Sequence, residues 1–583
     1  MMRATAEPQV IPSDRFGSWA RFAVPLGTAL VLLPLLVAAI STLAHDAPTP
    51  IRDQALMEMR VRDVGVHAVY LGLYSRDGWS HVGPLVFYTL AIPYRIFGNS
   101  TAGMVVGALV VNGVSIVAMV AISRRLAGRR VALVMLLFAS VLVRALGASL
   151  VANPWVLFIT VLPFGVFCCV IWALLVGKVW ALPVGAGLAS WLVQTHVGYA
   201  PLAVPMLGAG AMVLGATTWR SADTRRAAFL RAVALTAGVL LIAWVLPVWD
   251  QVDGTGNFMR AARWFREAKE GVHTLGEGVR VVGAQFAVVP DWITGTRRVS
   301  PFNGETLLRD QMRWPILLVP FAAALVVARR RRLPGVLALG VVVMIATGLG
   351  IVAVARTIGI MYEYRMLWTW VVGGLGGVVI TWTIWERAAA RFHAVDRFVV
   401  VTAMITLAAL CGVEVVQAIT VARADWNSAS TATAVRQLSK QLDRRGGQVL
   451  LRSETPSSEW YLQGVLLALA KQGFPARVRG LGGGLYPEDL SAGPGPNQAS
   501  LEVVAGPELA KLTPSQLTRI VAYGGPLPLA KELSALRASV ARSRRLLDDL
   551  EAHRIGGDEF RRRQRRLPQY LETAVVVLRD RAG

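Results

Sequence analysis

The sequence predicts an all-α polytopic membrane protein with about eleven transmembrane helices and a small C-terminal α/β domain on the non-cytoplasmic side. Three observations predict it. Long uncharged apolar runs recur over the first three quarters of the 583 residues, arginines gather in short clusters between those runs, and from about residue 424 the chain turns polar. Hydrophobic residues make up 54% of the chain, and the mean hydropathy is +0.51. A water-soluble domain of that composition would expose large apolar patches, so lipid is the simpler solvent.

The apolar runs read as spans are roughly 22–44, 101–123, 131–151, 154–177, 179–195, 198–217, 232–249, 314–328, 333–355, 366–385 and 398–420. Most reach the ~20 residues that a bilayer requires, and two short ones tilt or thin the membrane locally. The first run lacks a small-residue cleavage site after it, so it reads as a retained span and not as a signal peptide. Positive charge then sets sidedness. Arg15 and Arg21 precede the first span; Arg124, Arg125, Arg129 and Arg130 separate the second and third; Lys178 follows the fourth. Arg220, Arg225, Arg226 and Arg231 follow the sixth, Arg329, Arg330, Arg331 and Arg332 the eighth, and Arg387, Arg391 and Arg397 the tenth. Every cluster falls in an alternate loop, which places the N-terminus in the cytoplasm and the C-terminus outside.

The formal net charge is +24. In a soluble protein this would suggest nucleic acid, but here the arginines are a topology signal, no nucleic-acid motif accompanies them, and nucleic acid is not expected as a partner. The cysteines, Cys168, Cys169 and Cys411, lie inside spans and have neither disulfide nor zinc spacing. No phosphate-binding loop, dinucleotide fingerprint, zinc-protease helix or nucleophile elbow is present to carry weight. The glycine run 482–484 reads as a loop.

Two outer loops stand out by length, about 45–99 and about 250–313, within a transmembrane domain taken as residues 1–423. The soluble domain, 424–583, reads as a helix over 430–445, a strand over 448–451, a helix over 457–472, short strands near 476–479 and 500–505, and a helical hairpin from about 526 to the end.

The first outer loop opens on a charged helical stretch in which Asp53, Met57 and Arg60 share a face, and Glu58 and Arg62 form an i, i+4 pair. There follow Trp79, His81, Gly83, Pro84 and a short apolar helix over 85–97, carrying Pro93 and Arg95, that is expected at the interface with Trp79, Tyr88 and Tyr94 at headgroup level. The second loop opens with Trp249, Asp250 and Gln251. It continues into an amphipathic basic stretch, 258–266, that either covers a site or anchors the chain at the surface, and later adds Arg297 and Arg298.

The string Asp53-x-Ala55-Leu56-x-Glu58-x-Arg60-x-Arg62-Asp63-Val64-Gly65, followed by Ser75-Arg76-x-Gly78-Trp79-x-His81-x-Gly83-Pro84-Leu85-x-Phe87-Tyr88, resembles the GT-C class of membrane glycosyltransferases. That class includes protein O-mannosyltransferases, lipid A aminoarabinose transferases and actinobacterial arabinofuranosyl- and mannosyltransferases. The stretches Gln194-Thr195-His196-Val197-Gly198-Tyr199 and Pro247-x-x-Asp250-Gln251-x-x-Gly254-x-Gly256-Asn257 are similar to the same group. Val82 stands where many members carry proline, and the adjacent acidic pair of some members is absent. The high Arg, Ala, Val and Gly content is compatible with a high-GC actinobacterium.

The resemblance implies transfer of a sugar from a polyprenyl-phosphate donor to a cell-envelope glycan, lipid or protein, with inversion, on the outer face of the plasma membrane. Such chemistry requires a base for the acceptor hydroxyl and cationic or hydrogen-bonding groups for the departing phosphate. By position in the motif Asp53 is the candidate base; a helix N-cap or a solvated carboxylate is the alternative. Arg60, Arg62, Arg76 and His81 are candidates for donor contacts, and Glu58 and Asp63 for either a substrate contact or a surface ion pair. His196 with Tyr199 lies between two apolar runs on the outer side and is a candidate for a substrate contact, a satisfied structural histidine at a span end being the alternative. Tyr364 and Arg365, at the outer end of the tenth span, either line a donor groove or anchor the span. Arg144 is about 20 Å past Val131 at ~1.5 Å per residue, and either meets a lipid phosphate or snorkels to the interface. No resident cofactor is expected, and the resemblance leaves a divalent metal open. The rival reading is a transporter or flippase of lipid-linked glycans, which would favour internal repeats and midplane polar groups; a third is an envelope scaffold in which Asp53 is dispensable.

Overall fold

The computed structural model describes residues 21–45, 49–75, 77–219, 223–268, 272–295, 313–359, 361–392, 394–419, 428–478, 485–487, 490–492, 497–551 and 574–579. Arg76, Arg297, Arg298 and the glycine run 482–484 lie outside them. In chain order the helices are α1 (Ala23–Ala44), α2 (Arg52–Asp63), α3 (Leu85–Ile96), α4 (Thr101–Ala127), α5 (Arg129–Leu146) and α6 (Ala148–Val151). They continue with α7 (Val161–Leu175), α8 (Ala181–Thr195), α9 (Ala200–Trp219), α10 (Asp223–Asp253), α11 (Asn257–Glu267), α12 (Leu275–Gly283) and α13 (Asp291–Thr294). Then come α14 (Leu318–Arg330), α15 (Pro334–Ala355), α16 (Trp368–Arg391), α17 (Ala394–Ala418), α18 (Ala429–Leu438), α19 (Pro456–Lys471), α20 (Pro514–Leu517) and α21 (Leu529–Glu551).

A helix stands at each predicted span. Among the described residues seven are long and apolar enough to cross a bilayer: α1, α4, α9 with the turn before it, α10, α15, α16 and α17. The protein is thus a helical, multi-pass membrane protein with a small α/β part. Within the run predicted at 154–177, residues 156–160 form turns and the helix begins only at Val161. Pro154 disfavours a helical Asn153, and the Asn153 side chain accepts the Trp155 amide at 2.9 Å.

Compactness divides the chain differently from a single cut after residue 423. One unit holds 1–45, 69–96 and 103–421, and the other holds 46–68, 97–102 and 422–583. In the first, α1 packs on α17 and α5, α8 on α7, α9 and α10, and α16 on α5, α14 and α15. In lipid, such packing depends on close backbone approach and polar contacts more than on hydrophobicity. Both are present. A Cβ at Gly374 of α16 would overlap the Phe138 ring of α5, so only glycine lets these helices meet. At one end of the same helices Arg130 binds Asp396 through two nitrogens, at 2.9 and 2.8 Å, and Glu386 at 2.6 Å. Trp385 and Trp382 donate ring N–H groups to Asp396 and Glu386 at 2.9 and 3.1 Å.

The second unit is built on a five-stranded sheet of order β2-β1-β3-β5-β4. Its strands are β1 (Gln448–Arg452), β2 (Ala476–Val478), β3 (Asn497–Ala505), β4 (Ile520–Gly524) and β5 (Val575–Arg579). β1 runs parallel to β2 and β3, and β5 antiparallel to β3 and β4. The helical hairpin expected from 526 onward is corrected: α21 is present, but residues 575–579 form a strand in the sheet interior, where Val576 and Leu578 are fully buried. A run of three valines is better suited to a strand than to a helix surface.

The second correction concerns α2, whose Glu58 was expected at a substrate contact or a surface ion pair. Nine of its twelve residues are buried, and it packs against α19 within the second unit. Gly464 of α19 leaves room for Ile51 and the Pro50 carbonyl, 2.8 Å from where a Cβ would stand. Glu58, fully buried, is ion-paired with Lys471 and accepts the Thr101 hydroxyl at 2.7 Å. Arg62 donates to the Ala470 carbonyl at 3.2 Å. Removing one partner of a buried pair strands a charge and costs more than the pair contributes. Lys471→Met is therefore expected to destabilise the second unit by roughly 2 kcal/mol, and Glu58→Gln combined with Lys471→Met to recover most of that. Hydrogen exchange across α2 and α19 measures it; equal losses in single and double variants would remove the pair as the tie.

Candidate functional site

The sequence candidates fall into two groups. Asp53, Glu58, Arg60 and Arg62 belong to the unit with the sheet, whereas His81, Arg144, His196, Tyr199, Tyr364 and Arg365 belong to the helical unit. Asp53 occupies the first turn of α2, next to Arg52, whose φ of +62° is rare for a side-chain-bearing residue. The Arg52 guanidinium lies 4.6 Å from the Trp460 ring centroid, a cation–π contact that helps hold this turn. Asp63 pairs with His67 at 2.9 Å, which is the ion-pair alternative for that carboxylate.

In the helical unit a set of polar and aromatic groups converges. The rings of His81 and His196 lie 4.7 Å apart between centroids, and His196 lies 6.4 Å from Tyr199. The Val197 amide points at His81 Nδ1 at 3.4 Å. Trp79 covers His81 edge-on at 5.6 Å and is itself packed by Trp264 at 5.5 Å and Phe265 at 5.3 Å from α11. Arg365 lies in the turn Glu363–Met366 before α16 and donates to the Ile358 carbonyl at 3.2 Å. It acts electrostatically on both imidazoles. Tyr364 stacks on Tyr362 at 5.1 Å and meets Trp155 at 5.2 Å.

This setting holds both histidines neutral. Burial, and then the Arg365 charge, pulls the His81 pKa down to about 4. Burial, His81 and Arg365 together hold His196 well below the ordinary imidazole range. Burial also lowers the Arg365 pKa, against the pull of Tyr364, Asp77 and Tyr362. The cluster thus offers one guanidinium and two imidazole N–H donors, a donor set fitted to an anion such as a phosphate ester.

The loop bearing His81 is held by residues to which sequence reasoning gave no role. Asn257, at the start of α11, grips Ser80 from both sides: its Oδ1 accepts the Ser80 amide at 2.7 Å and its Nδ2 donates to the Ser80 carbonyl at 2.8 Å. Asp250 orders the turn that presents Asn257, accepting Thr255 N–H at 3.1 Å, the Thr255 hydroxyl at 3.0 Å and Asn257 N–H at 3.2 Å. Gln194 donates to the Ala243 carbonyl at 2.6 Å, and a Cβ at Gly83 would overlap its side chain. The signal for Asn257 was the Asp250 to Asn257 string, whose partner lies 177 residues away. Trp79 and Tyr94 are buried in protein, while Tyr88 is exposed. Arg144 stands in other company, donating to the Ile293 carbonyl of α13 at 2.9 Å. Among the described residues no three His, Cys, Asp or Glu side chains converge to hold a metal ion.

A multi-pass helical membrane unit and a small α/β unit define the class of fold. The solved structures similar to it agree at the level of the fold. The chain is similar to ArnT from Cupriavidus metallidurans bound to undecaprenyl phosphate, with a TM-score of 0.52, 12% identity and coverage of 85% of this chain and 95% of that one. It is equally similar to ArnT from Cupriavidus metallidurans in the apo state, at TM-score 0.52 and 13% identity, covering 87% and 97%. The GT-C resemblance thus holds as a resemblance of fold. No family model matches the chain, and no curated protein matches it.

Two outcomes are expected. The unfolded chain protonates His81 near pH 6.5, and the native ring only near 4, so the native state binds fewer protons in between. Stability is full above about pH 6.5 and falls as pH is lowered toward 4, by up to about 3 kcal/mol from this ring. Thermal unfolding in detergent at pH 7.5 and 5 should show a smaller difference in His81→Gln than in the parent; identical differences would contradict the assignment. Asn257→Ala, which strands both polar groups of Ser80, is expected to cost about 2 kcal/mol and to raise hydrogen exchange over 72–83 selectively.

Proposed function

We propose that the chain is an inverting glycosyltransferase that moves a sugar from a polyprenyl-phosphate donor to a cell-envelope acceptor on the outer face of the plasma membrane. The observation that carries this reading is the fold shared with a protein solved bound to undecaprenyl phosphate, combined with an anion-fitted donor cluster at His81, His196 and Arg365. The alternating arginine clusters support a cytoplasmic N-terminus and an extracytoplasmic C-terminal domain.

In the proposed reaction the acceptor oxygen attacks the anomeric carbon, the bond from that carbon to the phosphate oxygen breaks, and polyprenyl phosphate departs. The acceptor proton passes to the carboxylate of Asp53, the role assigned by the motif. Arg365, His81 and His196 stabilise the leaving phosphate by charge and N–H donation. Tyr199 and Tyr364 line the donor side, and Arg60, Arg62 and Arg76 keep their motif-based assignment to donor contacts. Glu58, with both oxygens engaged, positions α2 and does not touch substrate.

The test is transfer from radiolabelled polyprenyl-phosphate sugars to an envelope extract by the purified full chain in nanodiscs. Asp53→Asn is expected to lower kcat by 10²–10⁴-fold, on the order typical of a lost general base, with little change in KM. Arg365→Gln is expected to reduce kcat/KM by about 10²-fold. Retained transfer in a folded Asp53→Asn protein would remove the base. Absence of transfer from every donor, with lipid-linked sugar moved across vesicles, would replace the enzyme with the transporter.

A further inference from the structure

The helix α11 shows its surroundings a surface that neither the packing of the helical unit nor sugar transfer uses. Its inner side is taken up by protein: Asn257 and Ala261 are buried, and Trp264 packs on Trp79. Phe258, Ala262 and Phe265, at i, i+4 and i+7, align along the helix. All three are exposed, although the Phe265 ring also reaches Trp79, at 5.3 Å. The rest of the exposed surface carries Arg260, Arg263 and Arg266, against one carboxylate of the helix, Glu267. Glu267 lies 3.7 Å from Arg266 with both side chains well exposed, so that pair neutralises little of the charge. An apolar stripe beside a cationic one is the pattern of a helix that lies in a lipid–water interface.

The neighbouring helix says where that interface is. Among the described residues α10 is the least covered by protein of the seven helices long and apolar enough to cross a bilayer. Its exposed residues Leu241, Val245, Val248 and Val252 form one apolar stripe that continues to the residue before its end. Contact with hydrocarbon therefore reaches the end of α10. The turn that follows closes on Gly256, at φ +66°, and α11 starts at once. A helix that begins at the edge of the hydrocarbon has lipid headgroups beside it, and its arginines fit their phosphates.

We propose that α11 is a docking surface for an anionic lipid leaflet, and that docking stiffens the His81 turn. Phe258, Ala262 and Phe265 enter the acyl boundary, and Arg260, Arg263 and Arg266 take the acidic headgroups. The link to the turn is direct. Trp264 and Phe265 pack on Trp79, Trp79 covers His81, and Asn257 of the same helix holds both polar groups of Ser80. A zwitterionic leaflet offers the same apolar boundary without the negative surface potential, and so loses about fivefold in attraction for each engaged arginine.

The experiment is hydrogen exchange of the full chain in nanodiscs of phosphatidylcholine, alone or mixed with an equal part of phosphatidylglycerol. In the acidic nanodiscs exchange is expected to slow about fivefold or more over 257–267 and over 72–83 together, and the slowing to vanish in high salt. Arg263→Gln combined with Arg266→Gln, both at exposed positions, should remove most of the difference between the two lipids. Phe258→Ser, which keeps every charge, should speed exchange of α11 in both. Equal exchange in the two nanodiscs overturns the proposal, as does a lipid difference that survives loss of the two arginines, or an α11 that Phe258→Ser leaves unchanged. Slowing confined to 257–267 overturns the link to His81. Neither donor nor transfer enters the measurement, so its outcome is independent of the reading as a glycosyltransferase.

Discussion

In hydrocarbon the tails of lipids are as apolar as leucine, so helices have little hydrophobic reason to associate, and polar contacts and close packing must do it. Arg130 is where this constraint is most visible. Its guanidinium ties the start of α5 to the end of α16 and the start of α17 through two carboxylates, each of them also held by a tryptophan N–H. Along the same α5–α16 seam, Gly374 admits the Phe138 ring. Once α5 is fixed this way, its other end is fixed too. Ser140 and Arg144 stand where Glu414 and the Ile293 carbonyl can reach them. The helix that anchors the packing at one end thus also carries the polar contacts at the other.

The histidine cluster follows a different economy. Its members come from three separate stretches of chain: the turn around His81, the kink between α8 and α9, and the turn before α16. None is in a long regular element, and precision must come from backbone clamps. Asn257 supplies one by occupying both polar groups of Ser80, and Gln194, packed against Gly83, supplies another. Dry surroundings keep the imidazoles uncharged beside Arg365. A site with one full charge and two neutral donors holds a phosphate less tightly than three cations would. Under the proposed transfer, that would suit a leaving group that must depart after each turnover.

The helical part was legible because lipid imposes a long, simple signal: every apolar run of spanning length became a helix, and the arginine clusters marked the gaps between them. Misreadings came where burial is protein against protein. α2 is rich in charge, and its charges read as solvated, yet Glu58 is buried because Lys471, 413 residues away, meets it. The strand 520–524 and the terminal strand 575–579 were missed because a short run such as 575–578, Ala-free and valine-rich, carries no period that distinguishes strand from helix until its sheet partners are known. Trp79 and Tyr94, expected at headgroup level by composition, are also packed inside the protein. Of the candidate site, the histidines were singled out by motif and Arg365 by its place at the outer end of a span. Asn257 and Asp250 were visible as a string, but their work, orienting a turn far away in sequence, is a tertiary fact.

The motif that carries the resemblance is contiguous in sequence and divided in structure. Asp53 rides on α2, in the unit with the sheet, and His81 lies in the helical unit. Each is secured by its own unit's chemistry: α2 by the Glu58–Lys471 pair and the cation–π contact of Arg52, the His81 turn by Asn257. The two halves of the motif are therefore separable by mutation. Loss of Lys471 loosens the carboxylate's helix without touching the anion cluster, and loss of Asn257 does the reverse. If Asp53 acts as base, the first lesion lowers the rate of transfer while donor binding persists, and the second weakens donor binding first. A protein in which both lesions had the same kinetic signature would be using α2 as scaffold alone, with its base elsewhere in the helical unit.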